Sequence, residues 1–187
     1  QKVDFLRYMF NSLTLALVTT IFVLVISSLA GYVFGRLRFP GRQPLMLIIL
    51  AVSYFPPAAF LVPLYQQFTG NVIAGVNLYI TAGALILPFS ALFMPLSIFI
   101  LTTFYRQIPD GFEDPAPIEG PTRLVALFRV IVPLSAPVVA TAGVLTFIAV
   151  SNEFFFSQPT NNGLSTTWAP NVAGLLQLQR AGQIEVT

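Results

Sequence analysis

The stretch YMFNSLTLALVTTIFVLVISSLAGYVFG, Tyr8–Gly35, decides the fold. It runs for 28 residues without a charged side chain, whereas an apolar helix needs only about 20 residues to cross a bilayer. The windows Gln43–Tyr105 and Val130–Asn152 are also free of charge. The whole chain is 56% hydrophobic and 9% charged, whereas soluble domains carry roughly 25% charged residues. The sequence therefore predicts a polytopic, all-α integral membrane protein.

The charge-free windows predict four membrane spans within a single transmembrane domain, residues 1–187. The middle window is far too long for one span at a rise of about 1.5 Å per residue. It is divided at Gln66–Asn77, where Gly and Asn indicate a turn. We expect spans at about residues 11–34, 45–65, 79–104 and 130–154, a loop at 105–129, and an external loop at 157–187 that includes a short helix at Val172–Gln179.

Prolines recur within or at the ends of these predicted spans: Pro56, Pro57, Pro63, Pro88, Pro95, Pro133 and Pro137. A proline in a membrane helix leaves a backbone carbonyl that neighbours or water must satisfy, which is typical of bundles that line a pathway. Proline is also commoner in membrane helices generally. Both interpretations stay open at this point.

The distribution of Lys and Arg predicts the orientation in the cell membrane. Short cytoplasmic loops carry an excess of these residues. The links between spans one and two and between spans three and four hold six arginines, against three basic residues on the other side: Arg36, Arg38, Arg42, Arg106, Arg123 and Arg129, against Lys2, Arg7 and Arg180. Both links are therefore predicted to be cytoplasmic. Both ends then face outward, so we expect a preceding and a following span in the native chain.

Several function classes lack the residues they need. The chain has no His and no Cys, which removes the usual general base and the commonest metal ligands. It has no G-x-x-x-x-G-K-[ST] phosphate loop, and a net charge of +2 is too small to indicate nucleic-acid binding. We expect no catalytic residue, metal or cofactor in this chain. Because it has no phosphate loop with which to bind ATP, any process that needs energy must draw it from a partner or an ion gradient.

The loop between spans three and four, FYRQIPDGFEDPAPIEGPTRLVALFRVIVP, holds four of the seven acidic residues. Asp114 is placed to cap a helix that begins at Pro115, and Gly120 permits a sharp bend. After the bend, apolar residues recur at helical spacing, at Leu124, Leu127, Phe128 and Ile131. Two short helices would form a compact knob for a soluble partner. The alternative is an ordinary connector that obeys the positive-inside rule.

This loop resembles the EAA loop of ABC-transporter permease subunits, whose core is E-A-A, three residues and G, followed by I-x-x-P. Asp114-Pro115-Ala116 stands in the E-A-A place, Gly120 in the glycine place, and Ile131 to Pro133 at the exit. Four other motifs resemble those of the carbohydrate (maltose-type) branch: NSLTLAL from Asn11, AGYVFGRLRFPGR from Ala30, YFPPAAFLVPLY from Tyr54 and SNEFFF from Ser151.

The resemblance implies a sugar permease subunit that pairs with a second permease subunit. It also implies two ATPase subunits that bind ATP and receive the loop, and an external solute-binding protein. The implied ATPase-coupling residues are Glu113, Asp114, Pro115, Ala116, Ile118, Glu119, Gly120 and Arg123. Pro115, Pro117 and Pro121 depart from the family pattern, so we expect the first short helix to begin at Pro115 or to be distorted.

The outer end of span four holds the remaining candidates, Asn152, Glu153 and Phe155, as contacts of the pathway or of the binding protein. Ionisable groups within spans are often functional, although Glu153 also fits the outer interface. The alternative function is an ion-gradient-driven secondary transporter that uses Glu153. Small residues in span three suit either a permease–permease interface or packing within the bundle: Gly83, Ala84, Ser90, Ala91 and Ser97.

Overall fold

The structure, a computed structural model, describes residues 2–3, 5–54, 56, 59, 83–109, 123–152 and 185–186. The chain divides into two compact units. Unit 1 contains Gln1–Thr20, Phe55–Leu92 and Thr146–Thr187, and unit 2 contains Ile21–Tyr54 and Phe93–Leu145. Each unit is described by itself below.

The described part of the chain is mainly helical. In chain order it forms α1 (Phe5–Arg36), α2 (Arg42–Ser53), α3 (Gly83–Tyr105), α4 (Arg123–Ala126), a π-helical turn (Leu127–Ile131), α5 (Val132–Leu134) and α6 (Ala136–Asn152). Two-residue strands β1 (Lys2–Val3) and β2 (Glu185–Val186) pair in parallel within unit 1, with Lys2 opposite Glu185. This pairing of the chain ends was not predicted from the sequence.

Two helices contain stretches long and apolar enough to cross a membrane, Met9–Arg36 in α1 and Ile86–Tyr105 in α3. Helix α3 continues through both Pro88 and Pro95, as membrane helices can when neighbouring groups satisfy the freed carbonyls. Large apolar side chains stay exposed along α1, Leu17, Ile21 and Val25 among them, because lipid rather than water is the solvent expected there.

Helix α2 is shorter than the second predicted span. It begins after Gly41, whose φ of 86° lies in the left-handed region that glycine adopts without a steric cost. It ends at Ser53, just before Pro56-Pro57, and proline disfavours helical backbone in the residue before it. Of residues 55–65 in that predicted span, the structure describes Pro56 and Ala59.

The segment predicted as the fourth span is bent by 79° between residues 127–134 and α6. The bend lies at Ser135, whose N–H donates to the Ile131 carbonyl at 2.9 Å and whose carbonyl accepts from Val138 and Val139. Pro137 has no N–H with which to continue the earlier helix, and it is well tolerated in the first turn of the next one. As far as Asn152, the predicted span 130–154 therefore consists of two segments joined at a bend.

The core of unit 2 joins three parts of the chain. Buried apolar side chains from the end of α1, the end of α3 and the π-helical turn pack into one cluster: Tyr32, Leu101, Tyr105, Ile108, Leu127 and Ile131. The cluster holds the two ends of the predicted loop, because Ile108 belongs to its first residues and Leu127 to its last residues.

Candidate functional site

The structure describes the predicted loop, residues 105–129, at its two ends. Arg123 begins α4, whereas seven candidates lie outside the described residues: Glu113, Asp114, Pro115, Ala116, Ile118, Glu119 and Gly120. The candidate site is therefore the part of unit 2 on which the loop is mounted. We call it the loop base and define it as residues 28–36 of α1, residues 101–109 and the π-helical turn.

Glycines allow α1 and α3 to approach closely within the loop base. A Cβ atom added to Gly31 would lie 3.1 Å from the Cβ of Leu101, and one added to Gly35 would lie 3.0 Å from the Cβ of Tyr105. Both distances are shorter than an ordinary van der Waals contact between two carbon atoms. One turn earlier, the Ser27 hydroxyl donates to the Met94 carbonyl at 3.4 Å. Small residues spaced by four let the two backbones meet.

A buried hydrogen bond fixes where α3 ends against α1. The hydroxyl oxygens of Ser28 and Tyr105 lie 2.7 Å apart, and both side chains are buried. Either hydroxyl can donate to the other. The phenol ring of Tyr105 is part of the apolar cluster, so the hydrogen bond and the ring packing hold the same side chain.

Two arginines cross between α1 and the end of α3. Arg36, the last residue of α1, donates through Nη1 to the Ile108 carbonyl and through Nη2 to the Pro109 carbonyl at 3.2 Å. Arg106 donates in the opposite direction, from Nη2 to the Phe34 carbonyl at 3.4 Å. Carbonyls at a helix end lack intrahelical partners, and the planar guanidinium has enough donors to serve two of them. The first residues of the loop are therefore tied to the end of α1.

The link between α1 and α2 lies beside this joint. Arg42 donates from Nη1 to the Leu37 carbonyl at 3.1 Å. Burial lowers the pKa of the Arg106 guanidinium below its usual value, and the positive charge of Arg42 lowers it further. The two arginine-bearing links of unit 2 thus meet at one end, as expected if both face the same side of the membrane. Residues 38–44 line an open groove of about 650 Å³ here.

The returning end of the loop is held through the π-helical turn. Leu127 and Ile131 are fully buried in the cluster with Tyr105, and the Val132 N–H donates to the Leu127 carbonyl five residues earlier. Phe128 is 49% exposed. The buried face of this segment is therefore narrower than the predicted apolar face, which included Phe128. Leu127 and Ile131, four residues apart, lie on the buried face. Turns of this kind often occur at functional sites.

The candidates at the predicted outer end are described in part. Asn152 ends α6, is exposed, and donates from Nδ2 to the Ile148 carbonyl at 2.8 Å. Glu153 and Phe155 lie outside the described residues. In α3, Ser90 and Ser97 are buried whereas Ala91 is exposed. Within the described ranges, no group of three or more His, Cys, Asp or Glu could hold a metal ion.

Most of the loop base was not predicted from the sequence. Arg36 was expected only as one of the basic residues that set the orientation, and no role was predicted for Ser28, Tyr105, Gly31 or Gly35. A signal for the glycines was present, because Ser27, Gly31 and Gly35 recur at intervals of four. The hydrogen bonds of Arg36 had no such signal, because their acceptors are backbone carbonyls about 70 residues away.

Comparison with known proteins shows which family this chain matches. Residues 27–170 match the family described as binding-protein-dependent transport system inner membrane component. The chain is 39% identical to the sulfoquinovosyl glycerol transport system permease protein SmoH of Agrobacterium fabrum, over 83% of this chain and 53% of that protein. It is 35% identical to the trehalose transport system permease protein SugB of Mycobacterium tuberculosis, over 79% of this chain and 52% of that protein.

A third relative is the trehalose/maltose transport system permease protein MalG of Thermococcus litoralis, 35% identical over 82% of this chain and 53% of that protein. The chain therefore spans about half the length of these relatives. Its fold is similar to a chain in the crystal structure of a bacterial ABC transporter involved in the import of the acidic polysaccharide alginate. That likeness has a TM-score of 0.65 and 21% identity over 92% of this chain and 58% of that one.

Proposed function

The chain belongs to the family of binding-protein-dependent transport system inner membrane components, and from this premise we propose that it is a permease subunit of an ABC importer. It forms the translocation pathway with a second permease subunit. Its cytoplasmic loop docks on partner ATPase subunits, two per transporter, which hydrolyse ATP. An external solute-binding protein delivers the solute. The chain itself contributes a pathway and a mechanical connection rather than catalysis.

The observation that carries this proposal is the loop base. Both ends of the loop are rooted in one buried cluster, through Ile108 on one side and Leu127 and Ile131 on the other. The same cluster includes Tyr32 of α1. Close-packed interiors transmit displacement rather than absorb it, so a movement of the loop is passed to α1, α3 and the segment that leads into α6. A coupling loop requires such a mounting.

The proposed solute is a sugar. The three relatives named above are permease proteins of transport systems for sulfoquinovosyl glycerol, for trehalose, and for trehalose and maltose. Among these solutes the shared chemistry is a polyhydroxylated ring. The ion-gradient carrier considered from the sequence has no support from these relatives, and Glu153, on which it depended, lies outside the described residues.

Reconstitution of the complete transporter tests the proposal. The full-length chain is purified with its partner subunits, placed in proteoliposomes, and supplied with the binding protein and a panel containing trehalose, maltose and sulfoquinovosyl glycerol. We expect one sugar to stimulate ATP hydrolysis and to accumulate inside the vesicles. Uptake that survives removal of the ATPase subunits, but collapses when the ion gradient is dissipated, would overturn the proposal in favour of the carrier.

A further inference from the structure

We propose that Arg36 is a positioning residue, which holds the start of the coupling loop against the end of α1 so that loop movement is transmitted to that helix. This inference rests on the proposed function. It adds a role to a residue that the sequence places outside the loop, in the link between the first two spans.

The acceptors of Arg36 lie at the start of the loop. Arg36 donates to two successive carbonyls, Ile108 and Pro109, which lie after the last residue of α3, Tyr105. They are the fourth and fifth residues of the predicted loop, residues 105–129. A fork that binds two successive carbonyls restricts both the position and the direction of the chain, which a single hydrogen bond does not do.

Contacts other than those of Arg36 hold α1 and α3 together. The Ser28–Tyr105 hydrogen bond and the close approach at Gly31 and Gly35 join α1 to α3 before Arg36 is reached. Loss of the Arg36 guanidinium should therefore leave the two helices packed and free the chain that follows Tyr105. An interaction of this kind affects coupling more than assembly.

Arg38 offers a matched control. It lies two residues further along the same link and is exposed, whereas Arg36 is half-buried. Arg36→Gln and Arg38→Gln remove the same charge from the same end of unit 2. Arg36→Lys keeps the charge and replaces the planar fork by an ammonium group, which is a compact point charge.

The transport test compares these variants in the full transporter, reconstituted with its ATPase subunits, second permease subunit and binding protein. The quantity measured is sugar taken up per ATP hydrolysed, with co-purification of the ATPase subunits as the assembly check. We expect Arg36→Gln to lower this ratio by roughly threefold or more, within the range by which such residues alter coupling. The ratio for Arg36→Lys should fall between those of Arg36→Gln and the unaltered protein. The ratio for Arg38→Gln should match that of the unaltered protein.

An unchanged ratio in Arg36→Gln would overturn the inference, and so would an equal loss in Arg38→Gln, which would assign the effect to charge. If Arg36→Gln fails to assemble, an Arg36→Lys ratio equal to that of the unaltered protein overturns it. Failure of the proposed function looks different, because the unaltered transporter itself would then show no sugar-stimulated ATP hydrolysis.

A distance measurement tests the geometry without transport. The chain has no native cysteine, so spin labels can be attached at two exposed positions, Gln107→Cys within the loop base and Gln43→Cys in α2. We expect the distribution of distances between the labels to broaden in Arg36→Gln and to stay unchanged in Arg38→Gln. Identical distributions in all three proteins would contradict a positioning role.

Discussion

The hydroxyls of Ser28 and Tyr105 lie 2.7 Å apart in the interface between α1 and α3. The pair joins α1, which leads into the link before α2, to α3, which leads into the loop that we propose to be the coupling loop. Both side chains are buried, and the Tyr105 ring also packs in the cluster that receives Leu127. The side chain of Tyr105 thus connects α1, α3 and the π-helical turn.

Tyr105→Phe should destabilise the protein by about 0.6–2 kcal/mol, because Ser28 loses its buried partner. Ser28→Ala should cost a similar amount. The double variant should cost less than the sum, with a coupling energy of about 0.6 kcal/mol or more. The free energy of unfolding is measured in mixed detergent micelles for the unaltered protein, the two single variants and the double variant. Strict additivity would contradict the described hydrogen bond.

Gly35→Ala should destabilise the protein by about 1–3 kcal/mol, because the added methyl group would lie 3.0 Å from the Cβ of Tyr105. Val33→Ile is the matched control. It also adds one carbon to α1, on a side chain that is exposed, and should change the unfolding free energy by less than about 0.5 kcal/mol. Equal thermal-unfolding midpoints for the two variants would be evidence against close helix packing here.

Leu127→Ala should be costly, by about 2–5 kcal/mol, because Leu127 is fully buried in the cluster of unit 2. The neighbouring Phe128→Ala removes a larger side chain that is 49% exposed, and we expect a much smaller loss. The thermal-unfolding midpoints of the purified complexes that carry Leu127→Ala and Phe128→Ala give the comparison. A greater loss for Phe128→Ala would mean that the π-helical turn presents a different face to the core.

The side of the membrane can be tested with single cysteines, because the chain has none of its own. Gln43→Cys and Gln107→Cys, in the two arginine-rich links, should react with a membrane-impermeant thiol reagent in inside-out vesicles and be protected in intact cells. Asn161→Cys, in the predicted external loop, should show the reverse pattern. Labelling of all three from one side would refute the orientation derived from the arginines.

Two of the helices, α1 and α3, were predictable because hydropathy is local. Residues 11–34 and 79–104 were expected as spans from their lack of charge, and α1 and α3 cover all of the first and most of the second. The bend at Ser135 was less visible, although Pro133 and Pro137 flank it. Proline marks where a kink is allowed, whereas packing decides whether it forms.

The loop base was not predictable because it is made by contacts between distant residues. Ser28 and Tyr105 are 77 positions apart, and Arg36 binds backbone carbonyls, which every residue type offers. Pairing of β1 with β2 joins Lys2–Val3 to Glu185–Val186, segments too short for any periodic pattern. The coupling residues between Glu113 and Gly120 lie outside the described residues, so their role stays a prediction from the sequence.

The central claim is that the loop between α3 and α4 couples ATP hydrolysis to transport. Gly120→Asp places a charged side chain at the predicted bend, and the paired change Glu113→Gln with Asp114→Asn removes the acidic groups before it. Gly163→Asp makes the same glycine-to-aspartate change in the predicted external loop and serves as the control. All of these proteins should insert into the membrane normally.

Sugar uptake and sugar-stimulated ATP hydrolysis, measured together in proteoliposomes containing these variants and the partner subunits, test the claim most directly. We predict that Gly120→Asp and the paired acidic variant lose sugar uptake and sugar-stimulated ATP hydrolysis, while Gly163→Asp retains both. Uptake and stimulation equal to those of the unaltered protein in both loop variants would contradict the account.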